Sequence, residues 1–202
     1  REGSLSMSGT LPTSPEFNSI GFTSEQKTIT STTDSGKMFS TQIDGQRFSF
    51  TASYPTMTRE TFSPVLAFIM KQRSQQNTFQ VSLPDLKNAK GNVSGTVLVD
   101  GAHTAGDTTI TVDAMTGSLL AGDFVKFANH SKVYMVVADV TADGSNDATL
   151  TIEPPLRSNL ANNEAVTYDG VQFTVRLSND VQQFKTSVID QYTFELDFIE
   201  AL

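Results

Sequence analysis

The chain has 202 residues, no cysteine, no tryptophan and a formal net charge of −8. Without cysteine, disulfide staples and thiolate chemistry are excluded, and the acidic balance argues against general nucleic-acid binding, which needs cations to neutralise phosphates. With 38% hydrophobic and 18% charged residues and abundant Ser, Thr and Asn, the composition suits β-structure and loops, in one large or two small domains.

No apolar run approaches the roughly eighteen residues of a membrane span, and no signal-peptide pattern opens the chain, so synthesis in the cytoplasm is the expectation. The charge is uneven. Residues 1–90 carry nine Lys/Arg against seven Asp/Glu, and residues 91–202 carry five against fifteen.

Residues 1–18 are rich in Ser, Thr, Pro and Gly without periodicity and read as a mobile arm. A weak polar strand is expected over 20–31. Next, two alternating segments, 37–43 and 46–53, flank Asp44-Gly45, a pair that accepts positive φ and matches strand twist. A two-residue turn there predicts a hairpin over 37–53. It would place Thr41 opposite Phe48 and Phe39 opposite Phe50, with Ser40, Gln42, Ser49 and Thr51 on the wet side.

Between 58 and 73, Val65, Leu66, Phe68 and Ile69 form a helical apolar stripe preceded by Phe62. Ser63 as N-cap puts Pro64 at the tolerated first helical position, which predicts a helix over 63–73 after a turn at 58–62. That helix should cover a sheet face. Phe79-Gln-Val-Ser-Leu83 alternates as a strand.

After Lys90-Gly91 acids multiply and helical signals vanish. Asp107-Thr-Thr-Ile-Thr-Val-Asp113 reappears as Asp147-Ala-Thr-Leu-Thr-Ile-Glu153. Likewise Leu119-Leu-Ala-Gly-Asp-Phe-Val-Lys-Phe127 reappears as Leu160-Ala-Asn-Asn-Glu-Ala-Val-Thr-Tyr168. Each copy reads strand, turn, strand, with an acid just before the second strand. Such a unit cannot bury its apolar face alone, so two copies are expected to form a small pseudo-symmetric β-barrel or sandwich. Residues 133–138 are apolar on both faces and suit its central strand.

Two strongly alternating strands close the chain: one carries Val171, Phe173, Val175 and Leu177 on one face, the other Tyr192, Phe194, Leu196 and Phe198. The economical topology joins 19–92 with 170–202 in an antiparallel β-sandwich flanked by the helix, with 93–169 inserted as the doubled barrel.

Catalytic signatures are missing. There is no G-x-S-x-G elbow, and Gly36-Lys37 lacks the glycine and hydroxyl residue of a phosphate loop. His103 and His130 fall in loops and read as exposed. Asp139 and the run from Asp143 to Asp147 lack EF-hand spacing and read as a turn at Asp143-Gly144. Glu195 and Asp197 share one strand face, whereas glycosidase carboxylates converge across a cleft. Asn92-Val-Ser94 and Asn129-His-Ser131 match glycosylation acceptors, without consequence in a protein that is not secreted. No catalytic, cofactor-binding or metal-binding residue is assigned.

Three passages carry a resemblance. One is Leu11-Pro-Thr-Ser-Pro15 with Ser35-Gly-Lys37 and Gly45-Gln-Arg-Phe48. A second is Tyr54-Pro-Thr-Met-Thr-Arg59 running into the helix with Phe68. The third is Val99-Asp-Gly-Ala102, Leu120-Ala-Gly-Asp123, Lys132-Val-Tyr134 and Ile152-Glu-Pro-Pro-Leu156. Together they resemble the distal tail and baseplate proteins of tailed bacteriophages.

The resemblance implies a structural, non-enzymatic virion protein that assembles in the host cytoplasm. It also implies a β-sandwich with a hairpin and flanking helix, closed into a ring, usually of six, at the distal end of the tail tube. The ring would link the tube protein to hub, baseplate or receptor-binding proteins. DNA would pass through its lumen without specific binding, and no membrane or cofactor is involved. Exposed edges suit ring making, and the expected oligomer contacts lie on the hairpin, at Lys37, Phe39, Asp44, Gly45, Gln46 and Phe48. The inserted barrel departs from the pattern where some relatives carry a carbohydrate-module-like domain, so a host-surface carbohydrate-binding or adhesin module is the alternative.

Overall fold

The computed structural model describes residues 7–43, 45–180, 184–186 and 191–202. In chain order the first elements are β1 (Met7–Thr10), β2 (Ser19–Glu25), β3 (Thr28–Thr32), β4 (Met38–Gln42), β5 (Arg47–Ser53), β6 (Met57–Thr58), α1 (Arg59–Lys71) and β7 (Thr78–Ser82). Then come β8 (Leu98–Val99), β9 (Thr109–Asp113), β10 (Ser118–Leu119), β11 (Phe124–Phe127), β12 (Val133–Val136), β13 (Val140–Thr141), β14 (Ala148–Glu153) and β15 (Val166–Thr167). β16 (Gln172–Leu177), β17 (Phe184–Thr186) and β18 (Gln191–Glu200) complete a mainly β fold, with one helix among the described residues. It divides into two compact units: Arg1–Phe79 with Val175–Leu202, and Gln80–Thr174.

The first unit is built on a sheet of order β1-β7-β16-β18-β5-β2, to which β6 and β17 add by pairing with β18. Alternation decides which face is dry. Phe48, Phe50 and Ala52 of β5 and Phe194, Leu196 and Phe198 of β18 are buried, and Phe50 stands opposite both Phe198 and Phe22. Rings fill that face: Phe50 stacks on Phe198 at 5.2 Å, and Phe22 lies 5.0 Å from Phe48. The other face is wet. Thr51 Oγ1 donates to Asp197 Oδ1 (2.7 Å), Asn179 Nδ2 donates to Asp197 Oδ2 (3.3 Å), and the Ser19 and Ser53 hydroxyls meet at 2.7 Å. Asp197 is thus engaged in the polar surface of a sheet.

Helix α1 covers the dry face as expected, through buried Phe62, Val65 and Ile69. Phe62 packs against Tyr192 (5.4 Å) and Phe194 (5.6 Å), and Phe68 meets Phe79 edge-on at 5.5 Å. Its start differs from the 63–73 expected. The helix begins at Arg59 behind the extended Thr58, and Pro64 lies inside it. A proline there removes one N–H from the ladder. Phe62 is nonetheless buried within this helix, and Ser63 Oγ turns back to donate to Arg59 O (2.7 Å).

The hairpin is the main correction. β4 does not pair with β5. Instead β2 pairs with β5 (Ser19↔Ser53 to Glu25↔Arg47), and β3 pairs with β4 (Thr28↔Gln42 to Thr32↔Met38). The reversal is at 33–37, where the Thr33 N–H donates to Lys37 O (2.9 Å) and Gly36 takes φ 81°. The two ladders therefore lie along one long hairpin, with a break between them where the Ile43 N–H donates to Lys27 O (2.8 Å). Gly45 (φ 116°) sits in that break rather than in a tight turn, and Asp44 lies outside the described residues. In this arrangement β5 is paired on both edges, by β2 and by β18, which leaves no edge of β5 for β4.

The second unit is a six-stranded sheet of order β15-β11-β12-β14-β9-β8. A bridge between Leu98 and Ala165 brings its two ends together, making a nearly closed barrel. The repeated strands pair with each other. Ile110 faces Leu150 and Thr111 faces Thr149 across β9 and β14, while Lys126 faces Thr167 across β11 and β15. The equivalence reaches beyond the visible repeat. Leu98 opposes Asp113 as Met135 opposes Glu153, and Val99 opposes Val112 as Val136 opposes Ile152. Phe124 likewise opposes Met135 as Ala165 opposes Leu98. β8 and β12 are therefore a third equivalent pair, and a pseudo-twofold axis relates two three-stranded halves. Both halves feed one core, which includes Val99, Ile110, Val112, Leu119, Phe127, Tyr134, Val136, Leu150, Ile152 and Leu160. As expected, β12 is central, between β11 and β14.

Candidate assembly surface

The distal half of the long hairpin, residues 28–42, is a two-stranded ribbon exposed on both faces along its length. Such a ribbon is marginal alone in water, because no layer covers its apolar side chains. Its faces differ. Ile29, Ser31, Phe39 and Thr41 share one side and Thr28, Thr30, Thr32, Met38, Ser40 and Gln42 the other, following the register. Ile29 is 60% exposed and Phe39 51% exposed, while Ile43 at the break is 41% exposed. Lys37 Nζ stands 5.1 Å above the Phe39 ring, a cation–π contact worth roughly 0.5–1 kcal/mol at an exposed site. At the tip the Thr33 hydroxyl accepts the Lys37 N–H (3.2 Å) and meets Ser35 Oγ (2.9 Å), which fixes the turn.

The expected contact residues separate on this geometry. Lys37, Phe39 and Gly45 are exposed. Gln46 and Phe48 turn inward, with Gln46 Nε2 donating to Ser24 Oγ (2.7 Å) and Phe48 packed on Phe22. Both therefore belong to the base of the hairpin, not to its free surface, and Asp44 lies outside the described residues. Exposed Ile29 was not among the expected contacts, because it lies on β3, a strand too polar for its faces to be read from the pattern alone.

The second unit offers polar clusters of a structural kind. His103 is half-buried rather than exposed. Its Nε2 accepts the Thr111 N–H (3.2 Å), and its Nδ1 lies 3.8 Å from Asp107 Oδ2. His130, expected in solvent, is 6% exposed. It packs against the Phe127 and Tyr134 rings, and its Nδ1 is 2.8 Å from the Tyr134 hydroxyl. Burial lowers its pKa from the usual 6.5, partly offset by the Asn159 backbone and the Glu164 charge. The acidic turn closes on itself as expected, with Asp143 Oδ1 accepting the N–H groups of Ser145 (2.8 Å) and Asp147 (3.0 Å). Among the described residues no group of three or more His, Asp or Glu side chains could hold a metal ion. Nor, among them, is any helix long and apolar enough to cross a membrane.

Comparison with known proteins bears out the resemblance to phage distal tail proteins. Residues 87–171 match the family model of the distal tail protein pb9 B domain, a span that coincides closely with the barrel. The distal tail protein pb9 of Escherichia phage T5 is 22% identical over 174 residues, covering 83% of this chain and 84% of that protein.

Proposed function

We propose, with that likeness as premise, that this chain is a structural protein of a phage tail tip. It closes into a ring, of six copies, at the distal end of the tail tube. The carrying observation is the ribbon at 28–42, bare on both faces, with Ile29 and Phe39 exposed on one side and Met38 on the other. A ribbon that carries exposed Ile29, Met38 and Phe39 and that no described residue of its unit covers suits contact with a neighbour.

In this reading the first unit makes the ring, and the barrel at 80–174 is an inserted appendage. Tube protein binds one side of the ring and hub or baseplate proteins the other, while DNA crosses the lumen unbound. Lys37, Phe39 and Gly45 remain proposed contacts between copies, joined by Ile29 and Ile43. The sugar-binding alternative gains no support from the barrel's aromatics. Phe124, Phe127, Tyr134 and Phe173 are buried, and Tyr168 is half-buried with its hydroxyl donating to Gly95 O (2.7 Å). None offers the flat exposed ring that a sugar stacks upon.

The test is native mass spectrometry of the full chain, alone and with the tube protein. A six-copy species that collapses to monomer in the double variant Ile29→Asp/Phe39→Asp, with unchanged thermal unfolding of the monomer, supports the proposal. A monomer under every condition overturns it.

A further inference from the structure

The pseudo-symmetry of the barrel reaches one segment further than its strands. At the offset shared by β8 and β12, Asn92-Val-Ser94 corresponds to Asn129-His-Ser131, and Val97 corresponds to Tyr134. The halves part at two inward positions. The first half has Val93, packed against the core, and buried Val97; the second has His130 and Tyr134, both buried. The fold is therefore satisfied by valine at these sites, and the histidine and tyrosine need a reason of their own.

That reason lies in the loop they hold. Residues 154–159 correspond to 114–118 of the first half, where backbone and one asparagine do the holding. There Ser94 and Thr116 exchange N–H···O bonds (2.8 and 2.9 Å), and Asn92 Oδ1 accepts the Ser118 N–H (2.9 Å). In the second half the Tyr134 hydroxyl accepts the Arg157 N–H (3.1 Å) and stands 2.8 Å from His130 Nδ1, while the Asn159 backbone bonds the His130 ring. The far end of the same loop meets the other of the chain's two histidines, as His103 and Leu160 exchange N–H···O bonds (3.1 and 2.9 Å).

While the His130 ring is neutral, Nδ1 accepts the Tyr134 O–H, and the hydroxyl oxygen is left to accept the Arg157 N–H. A proton on Nδ1 makes the hydroxyl turn round to accept from it, and sets a charge among the Phe127 and Tyr134 rings. Glu164 is the charge that favours the proton, but its Oε1 is already engaged by Asn129 Nδ2 and the Ala161 N–H. Lys132 and Arg157, on the two segments that meet at the ring, carry the opposing charges.

We infer that His130 and Tyr134 form an acid-sensitive latch, and that a proton on His130 releases the loop at 154–159 while the rest of the barrel stays folded. The latch is closed above neutrality and loosens as the pH falls, because the opened loop leaves His130 in water, where it takes up the proton more readily.

Hydrogen exchange of the full chain, read by mass spectrometry as protection relative to unstructured peptide, tests this at about pH 7.5 and about pH 5.5. The equivalent loop at 114–118 is the internal control. Protection at 154–160 should fall severalfold on the acid side, by no more than about tenfold, the limit for a histidine that titrates near 6.5 once the loop is open. Protection at 114–118 should hold. His130→Val, which copies the first half, and His130→Gln should each abolish the fall, so either one decides if the other does not fold. Unchanged protection at 154–160, an equal fall in both loops, or a fall that persists in the variants would overturn the latch.

Discussion

Asp123 and Glu164, equivalent residues of the two barrel halves, each accept a backbone N–H from three residues upstream. Leu120 N–H donates to Asp123 Oδ2 and Ala161 N–H to Glu164 Oε1, both at 2.9 Å. The acid before the second strand of each repeat is therefore a turn clamp. The halves have since diverged: Asp123 also accepts from the Lys90 N–H (2.8 Å) and Gly91 N–H (3.4 Å), whereas Glu164 accepts from Asn129 Nδ2 (2.7 Å). Asp123 is 2% exposed, so Asp123→Ala strands several sheltered N–H groups and should cost about 2–4 kcal/mol. Glu164→Ala, in a half-buried site, should cost less. Urea unfolding of both variants checks the order.

Three glycines mark a close approach of two backbone segments in the barrel. A Cβ on Gly91 would lie 2.0 Å from Ser118 O, one on Gly95 2.4 Å from Ala114 O, and one on Gly117 2.4 Å from Asn92 O. Gly144 has nothing within 4 Å. Alanine at 91, 95 or 117 should therefore destabilise by at least about 2 kcal/mol, and alanine at 144 by under about 0.5 kcal/mol. Equal effects at all four positions in a thermal-shift series would refute the packing described.

His130 should make stability fall on the acid side of neutrality. Its pKa is lowered in the fold by burial, so the unfolded chain binds the proton more readily. The contribution is complete above about pH 6.5 and is lost as the pH drops below that value toward the folded pKa. The Asn159 backbone and the Glu164 charge oppose the shift, so it is smaller than burial alone would give. His130→Gln should flatten the slope of unfolding free energy between pH 7 and 5 at the same urea m-value, and an unchanged slope would count against the buried site.

Tyr54 carries a buried hydroxyl without a partner, between Phe17 and Phe194, and burial pushes its pKa up. Removing an unsatisfied polar atom while keeping the ring relieves a desolvation cost of about 1–3 kcal/mol. Tyr54→Phe should thus be neutral or stabilising in a thermal melt. A clear loss would mean the hydroxyl is bonded.

The barrel was the most legible part of the chain because its repeat writes the same alternation twice. Ile110 and Leu150 could be matched before their pairing was known. The third equivalent pair, β8 with β12, was invisible because Leu98-Val99 and Met135-Val136 are ordinary strand residues fixed only by their partners. The terminal strands were equally plain, since Phe194, Leu196 and Phe198 alternate without interruption.

The hairpin misled for a physical reason. Asp44-Gly45 is a strong local turn signal, yet the Thr- and Ser-rich strand β3 pairs with β4 around the turn at 33–37, and β2 pairs with β5 in a longer-range ladder continuing the same hairpin. Burial of His130 was not legible either. It follows from the Phe127 and Tyr134 rings closing over a loop, a tertiary effect that leaves no periodic mark.

The central claim is position and symmetry in the tail, and cryo-electron microscopy of intact tails tests it most directly. The prediction is a closed ring at the distal end of the tube into which six copies of this chain fit, the hairpin at 28–42 reaching the adjacent copy. Density for the chain along the tail shaft, at the capsid end or as isolated single copies would contradict it.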